Sequence, residues 1–262
     1  MPTLLGIPFD ANSSYLRGTA EAPQKIRAAM RCDASNMWTE SGVDLGAAGR
    51  FGDAGDLQLE EASAFAEIER AVGELLRKGE TPVSLGGDHS ITYPIVKAFA
   101  RHYPELTILH FDAHPDLYAE FEGNPLSHAC PFARIMEAGL AKRLVQVGIR
   151  TMNGHQREQA AKFRVEVVEM GSLPAYDRMK AKGPVYVSFD MDALDPAFAP
   201  GVSHREPGGL SVREAIAHLH AIEGEIVGAD IVEYNRAQDV AGMTATVAAK
   251  ILREIMGTMI AG

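Results

Sequence analysis

The strongest constraint on this chain is a repeated unit: a short apolar run of strand character, a polar cluster where the run stops, then a helical pattern. Leu4–Phe9, Pro82–Leu85, Leu106–Phe111, Leu144–Ile149, Val165–Val168, Val185–Phe189 and Ile226–Val232 are such runs. Helical spacing predicts a helix opening near Glu21 with Pro23 in its first turn, another over Glu60–Gly79, and others over 91–102, 128–140, 155–163, 173–182, 211–221 and 240–259. In the Glu60–Gly79 segment, Phe65, Ile68, Val72, Leu75 and Leu76 recur on one face and Gly79 ends the pattern. Continuous Val/Ile/Leu strands alternating with helices point to a parallel sheet covered on both faces. Residues 40–58 are rich in Gly and Asp and read as irregular, with Asp53-Ala-Gly-Asp56 their most pointed feature. No repeat, low-complexity tract or linker divides the chain, so residues 1–262 are expected to form one domain with a sizeable core.

In parallel α/β folds, ligands bind beyond the carboxyl ends of the strands. The polar residues fall there. Asp88 and His89 follow one run, Asp112, His114 and Asp116 the next, Asp190 and Asp192 another, and Glu233 the last. Residues two apart on a strand share a face, so these side chains are expected to converge. Charges are rarely buried unless they are paired or bind a metal. Taken alone, the Asp112 stretch also fits an Asp that caps a turn beside a surface histidine. Taken with the other strand ends, it fits a mixed N/O metal site, whose carboxylate-rich composition suits Mn²⁺ better than structural zinc. Asp112, Asp116, Asp190, Asp192, His89 and His114 are too many ligands for one ion and match the charge of two divalent cations. Two such ions ~3.5–4 Å apart share a water and lower its pKa towards neutrality. A purely structural carboxylate cluster would need Arg or Lys in the same stretches, and there is none.

Net charge is −10, from 25 Lys+Arg against 35 Asp+Glu, with no basic cluster; this argues against a nucleic-acid partner. An acidic field suits a cationic ligand, although it also serves solubility. Cys32 and Cys130 lie far apart without metal-knuckle spacing, as in a reduced compartment. The opening Met1–Asp10 lacks the basic start of a signal peptide and no apolar run approaches transmembrane length. The expectation is a cytoplasmic protein with no membrane partner.

Gly86-Gly-Asp-His-Ser90, Asp112-Ala-His-Pro-Asp116, Ser188-Phe-Asp-Met-Asp-Ala-Leu-Asp-Pro196 and Glu233-Tyr-Asn235 resemble the signature blocks of the ureohydrolase superfamily, which comprises arginases, agmatinases and related guanidino-group hydrolases. Gly6-Ile-Pro-Phe-Asp10, Gly18, Ala22-Pro-Gln-Lys-Ile-Arg27 and Pro207-Gly-Gly-Leu210 extend the likeness over nearly the whole chain. The resemblance implies a three-layer α/β/α fold with a central parallel sheet of about eight strands, a trimeric or hexameric assembly, and two Mn²⁺ per subunit. It further implies that His89 and Asp116 bind one ion and His114 and Asp192 the other, with Asp112 and Asp190 bridging. Glu233 matches the carboxylate that pairs with the guanidinium, and a planar delocalised cation is well met by a carboxylate. His128 occupies the place of the proton-shuttle histidine that protonates the leaving amine; it also reads as an ordinary residue at a helix start. His110 reads as a group behind the ligands or in the core. Asp195 and Asp88 read as supporting carboxylates or turn residues, and His102, His155, His218 and His220 as solvated.

Substrate choice is expected to depend on the loop Leu117–Ser127. Its Tyr118 and Asn124 are candidate contacts, and its Glu120 and Glu122 would repel a carboxylate and attract an amine. Arginases hold the amino-acid end of arginine with a loop rich in Asn, Ser and Thr, whereas this one is a residue shorter and nearly lacks hydroxyls. That favours agmatine, cleaved to urea and putrescine. Against it, His204 and Arg205 stand where agmatinases usually read Thr-Pro, and an inward Arg205 would bind a carboxylate, which fits a guanidino acid such as 4-guanidinobutyrate; arginase and guanidino-acid hydrolase are the alternatives. A dinuclear phosphoesterase would use the same ligand types, but would add Arg or Lys to clamp phosphate. A non-catalytic metal-binding relative would be expected to lack a ligand, the shuttle histidine or the glutamate, and all are present.

Overall fold

The computed structural model describes residues 1–261. Strands β1 (Pro2–Gly6), β2 (Gly52–Asp56), β3 (Thr81–Leu85), β4 (Thr107–Phe111), β5 (Arg143–Ile149), β6 (Glu166–Glu169), β7 (Lys180–Asp190) and β8 (Glu223–Val232) form one 8-stranded sheet in the order β2-β1-β3-β8-β7-β4-β5-β6. Every pairing in it is parallel. Helices α1 (Ala22–Met30), α2 (Ala64–Arg77), α3 (Thr92–Ala100), α4 (Pro131–Glu137), α5 (Gly154–Phe163), α6 (Val212–His220) and α7 (Met243–Ala261) cover it.

The two faces are separated by the strand period of two residues. Leu4, Leu109, Phe111, Val187 and Phe189 pack with Ile26 of α1, Leu219 of α6 and Leu252 of α7. The alternate residues Leu5, Ile108 and Tyr186 pack with Ile68 of α2, Ile95 of α3, Phe132 of α4 and Ala160 of α5. The result is the expected three-layer α/β/α sandwich, each fully buried Leu, Ile or Phe adding about 1.5–3 kcal/mol.

Three local expectations are corrected. Strand β2 lies in the stretch read as irregular: its only apolar residue is Ala54, and Arg27 of α1 pairs with both its Asp53 and its Asp56. The helix predicted over 173–182 is instead a 3-10 turn at Tyr176–Met179 followed directly by β7, because Lys180 and Pro184 are claimed by pairing with Glu223 and Glu225 of β8. Helix α4 starts at Pro131, so His128 precedes it on a loop rather than sitting in a helix.

The strands that end in the candidate residues, β3, β8, β7 and β4, are consecutive neighbours in the sheet. Because they are parallel, their carboxyl ends meet on one edge. Gly87 makes that edge compact: a Cβ there would lie 1.7 Å from the Phe9 carbonyl oxygen, so only glycine lets the chain after β1 run alongside the end of β3.

Candidate metal centre and active-site pocket

His89, at the end of β3, is fully buried, and its two ring nitrogens have different surroundings. Nε2 lies 3.0 Å from Ser188 Oγ. That hydroxyl donates its own proton to Asp230 Oδ1 at 2.7 Å, so towards His89 it accepts, and the imidazole proton sits on Nε2. In the neutral ring Nδ1 then carries the lone pair, and it faces Asp112, Asp116 and Asp190 Oδ2 atoms at 3.2, 3.1 and 3.1 Å with no hydrogen-bond partner among the described residues. A buried lone pair aimed at three carboxylate oxygens is the environment a divalent cation satisfies.

The same pattern occurs on the other side of Asp112. His114 Nδ1 lies 3.1 Å from Asp192 Oδ2 and 3.4 Å from Asp112 Oδ1, so Asp112 offers one oxygen to each histidine. Ligand atoms of Asp112, His114 and Asp192 all lie within 4.8 Å of one another. His89, His110 and Asp112 come together equally closely, but His110 is no ligand of the same kind. Gln146 Nε2 must donate to the Pro115 carbonyl at 2.6 Å, which fixes its amide group and makes it a donor to His110 Nδ1 as well. His110 thus carries its proton on Nε2 and gives it to Asp112 Oδ2 at 2.7 Å. It orients the bridging carboxylate from behind, stacked 3.9 Å from the Phe132 ring.

Electrostatically the cluster lacks cations. Burial, then repulsion from Asp192 and Asp112, pushes Asp190 well above the usual carboxylate range. Burial and Asp112 push Asp192 up to about 6. Burial also opposes ionisation of Asp112, but His110, which donates to it, holds it well below its ordinary value. Among the described residues no Lys or Arg side chain reaches these carboxylates. The donor set, its negative charge and the orphaned Nδ1 of His89 fit bound cations. The backbone is strained to match: Asp116 and Glu233 adopt φ 48 and 62, left-handed values uncommon for residues with a side chain.

Beside the cluster lies a cavity of about 150 Å³ lined by Ser14, His114, Asp116, Tyr118, Phe121, His128, Thr151, Gln156, Asp190, Asp192, His204 and Glu233, among others. Glu233 Oε1 accepts from His89 N–H and from His128 Nδ1, both at 2.8 Å. Among the described residues its other oxygen has no such partner. Burial would raise its pKa, but the His128 charge and these hydrogen bonds hold it down. For His128, burial would lower the pKa, but Glu233, with Asp88 and Asp116 behind it, raises it to about 9. In the neutral ring, with its proton on Nδ1, Nε2 accepts from the Ser14 N–H at 3.2 Å. A second proton at Nε2 would turn to Ser14 Oγ, 2.8 Å away.

The residues expected to select the substrate divide. Tyr118 lines the cavity and its hydroxyl is held by Asn153 Nδ2 at 2.7 Å. Asn124 does not line it; its side chain bonds Asn12 and the Leu126 N–H instead. Glu120 and Glu122 are exposed and lie outside the lining, because their loop turns them to solvent. Arg205 also points away, its guanidinium spent on the Pro200 carbonyl and the Gln238 side chain. Asp88 accepts from Asn12 N–H and Ser90, and Asp195 from the Gly208 and Gly209 N–H groups, so both act as turn residues. His218 is buried against Phe111 and Tyr176 rather than solvated, since it falls on the inner face of α6.

Ser14, Ser188, Gln146 and Arg150 also serve the site, although no spacing or periodicity marks them in the sequence. Arg150 grips the carbonyls of Asp192 and Glu206, each at 2.6 Å, and so fixes the turn that carries Asp192.

The model of the arginase family matches residues 2–257. Arginase 1, mitochondrial, of Arabidopsis thaliana is 47% identical over 97% of this chain and 79% of its own length. The agmatinase of Bacillus subtilis (strain 168) is 34% identical over 97% and 90%. Among solved structures, the arginase from Medicago truncatula superposes with a TM-score of 0.93 at 44% identity, covering 98% of this chain and 87% of that one. The plant relatives are named mitochondrial or chloroplastic/mitochondrial, which overturns the expectation of a cytoplasmic protein. Unpaired cysteines, a start without a signal-peptide pattern and the lack of a long apolar run are all compatible with an organelle interior, so none of them reports the compartment. The chain belongs to the arginase family of ureohydrolases, hydrolases of C–N bonds in guanidino compounds.

Proposed function

We propose that this protein hydrolyses the guanidinium group of arginine to urea and ornithine with two Mn²⁺ bound. The observation that carries the reading is the placement of His89 and His114 on opposite oxygens of Asp112, next to a cavity that holds a free oxygen of Glu233. His89 and Asp116 would hold one ion and His114 and Asp192 the other, with Asp112 and Asp190 shared; the hard oxygen donors with two imidazoles favour Mn²⁺. Bound there, the pair of ions supplies a water of lowered pKa as nucleophile at the guanidinium carbon. Glu233 pairs with the guanidinium through the oxygen that its neighbours leave open. His128, oriented by Glu233 on Nδ1, carries a proton at Nε2 to the departing amine as the C–N bond breaks.

Arginine is favoured over agmatine because plant relatives named arginase match at 45–47% identity, against 33–34% for the agmatinases of Bacillus subtilis and Bacillus anthracis. Glu120 and Glu122, whose charge would draw the amine of agmatine, face solvent outside the cavity. Agmatine stays the second reading on one observation: no Lys or Arg lines the cavity to meet a carboxylate tail. Arg205, the group that would have served a guanidino acid, is turned away. Urea release from arginine, agmatine and 4-guanidinobutyrate after Mn²⁺ loading decides. Arginine should be turned over fastest; faster release from agmatine would replace the first reading with the second.

A further inference from the structure

His204 lines the cavity but has no part in the arrangement above. Its position is fixed by a clamp on the segment that carries Glu233. Val202 bridges Tyr234, Gly201 accepts from the Asn235 N–H at 2.8 Å, and Ser203 Oγ accepts from Asn235 Nδ2 at 2.9 Å while donating to the Leu16 carbonyl at 3.0 Å. The ring is therefore held at the mouth by two loops at once. On its inner side lie His128 and His114, with ring centroids 5.3 and 6.0 Å away; on its outer side lies Tyr15 at 5.6 Å. Among the described residues, no hydrogen bond engages either ring nitrogen.

A cavity that takes a guanidinium ion must meet five N–H donors on one planar group, and carboxylates alone satisfy only the edges they face. Glu233 has one oxygen to give and the Asp side chains converge on the histidine nitrogens. An imidazole lone pair fixed at the mouth is a further acceptor where an alkyl-guanidinium must pass. Resting on the arginase reading above, we propose that His204 is a substrate-binding residue: its imidazole accepts a hydrogen bond from a guanidinium N–H, and with Tyr15 it closes the mouth over the bound group. It selects for guanidinium groups with a free N–H and contributes to binding rather than to bond cleavage.

The test compares wild type, His204→Ala, His204→Asn and His204→Phe as Mn²⁺-loaded proteins. It reads KM and kcat for arginine, bound metal, and the affinity of free guanidinium ion by calorimetry. A hydrogen bond to a charged group predicts a KM and a guanidinium Kd about tenfold or more higher in His204→Ala and His204→Phe, with kcat much less affected and metal content unchanged. His204→Asn, which keeps an acceptor, should recover part of the loss. Unchanged KM and guanidinium affinity in His204→Ala would overturn the proposal. So would loss of bound metal or of the thermal transition in all three variants, which would make His204 a structural residue. Wild type that releases no urea from any guanidino compound would sink the arginase reading and this inference with it, an outcome distinct from an active wild type indifferent to position 204.

Discussion

At the scale of single residues, Ser188 orders two buried charges with one hydroxyl. It donates to Asp230, which also accepts from Tyr186 and Thr92 at 2.7 and 2.9 Å, and this leaves the Ser188 lone pair to fix the proton of His89 on Nε2. Without Ser188, the proton is free to move to Nδ1 and compete with a cation for that nitrogen. Ser188→Ala should therefore weaken metal binding by about 10–100-fold, read by competition with a chromogenic chelator. The fold should survive, because Asp230 keeps two donors and the loss is about 1–3 kcal/mol. Unaltered metal affinity would disprove this tautomer argument. The ligands themselves were legible because spacing by two residues at strand ends is a pattern. Ser188, Gln146 and Ser14 were not: a lone Ser or Gln gives no period, and its value comes only from what the fold sets opposite it. His204 shows in the sequence only as a departure from the Thr-Pro that agmatinases carry there, and Arg205 beside it misleads, since sequence does not say which way a side chain on a loop turns.

At the scale of elements, legibility follows apolar periodicity. The strands β3, β4, β5, β7 and β8 and helix α2 declare themselves because burial drives them. Strand β2 is hidden because an edge strand of Gly and Asp is held by ions instead. Arg27 reaches Asp53 at 3.0 Å, Asp56, and the Gly55 carbonyl at 3.1 Å, and Arg31 adds a contact to Asp53 at 2.7 Å. Arg27→Met should cost about 2 kcal/mol, less than a fully buried pair because both carboxylates are partly exposed. Amide exchange should quicken over Gly52–Asp56 before it does over β4. The sign of the pH effect follows from Asp53, whose pKa burial would raise but which Arg27 and the Gly55 N–H hold below the ordinary value. A depressed carboxylate adds stability above its unfolded pKa of ~3.9, and loses it as pH falls through the folded value. Wild-type β2 should loosen only in acid, whereas Arg27→Met should already be loose at neutral pH and show a flatter acid limb. Equal exchange rates in the two proteins at pH 7 would refute the ionic latch.

At the scale of the whole molecule, the sheet is loaded unevenly. The fold carries a net charge of −10, and its central strands β3, β8, β7 and β4 end in buried carboxylates that no Lys or Arg side chain reaches among the described residues. Without cations, the repulsion that raises Asp190 and Asp192 acts against the folded state at the middle of the sheet rather than at its edges. Cations that bind only the folded form stabilise it by mass action, about 4 kcal/mol for one site at ~1,000 times its Kd. For a chain of this size each kcal/mol shifts the midpoint by roughly 2–4 °C. Stripping metal with a chelator should thus lower Tm by about 10 °C, and re-addition of Mn²⁺ should restore it. The loss should also be local, with amide protection falling first at Leu85, Phe111, Asp190 and Val232 while β6 and β2 change little. If Tm and protection stay the same with and without metal, the carboxylates are being balanced by the protein itself, and the two-cation reading of the centre fails.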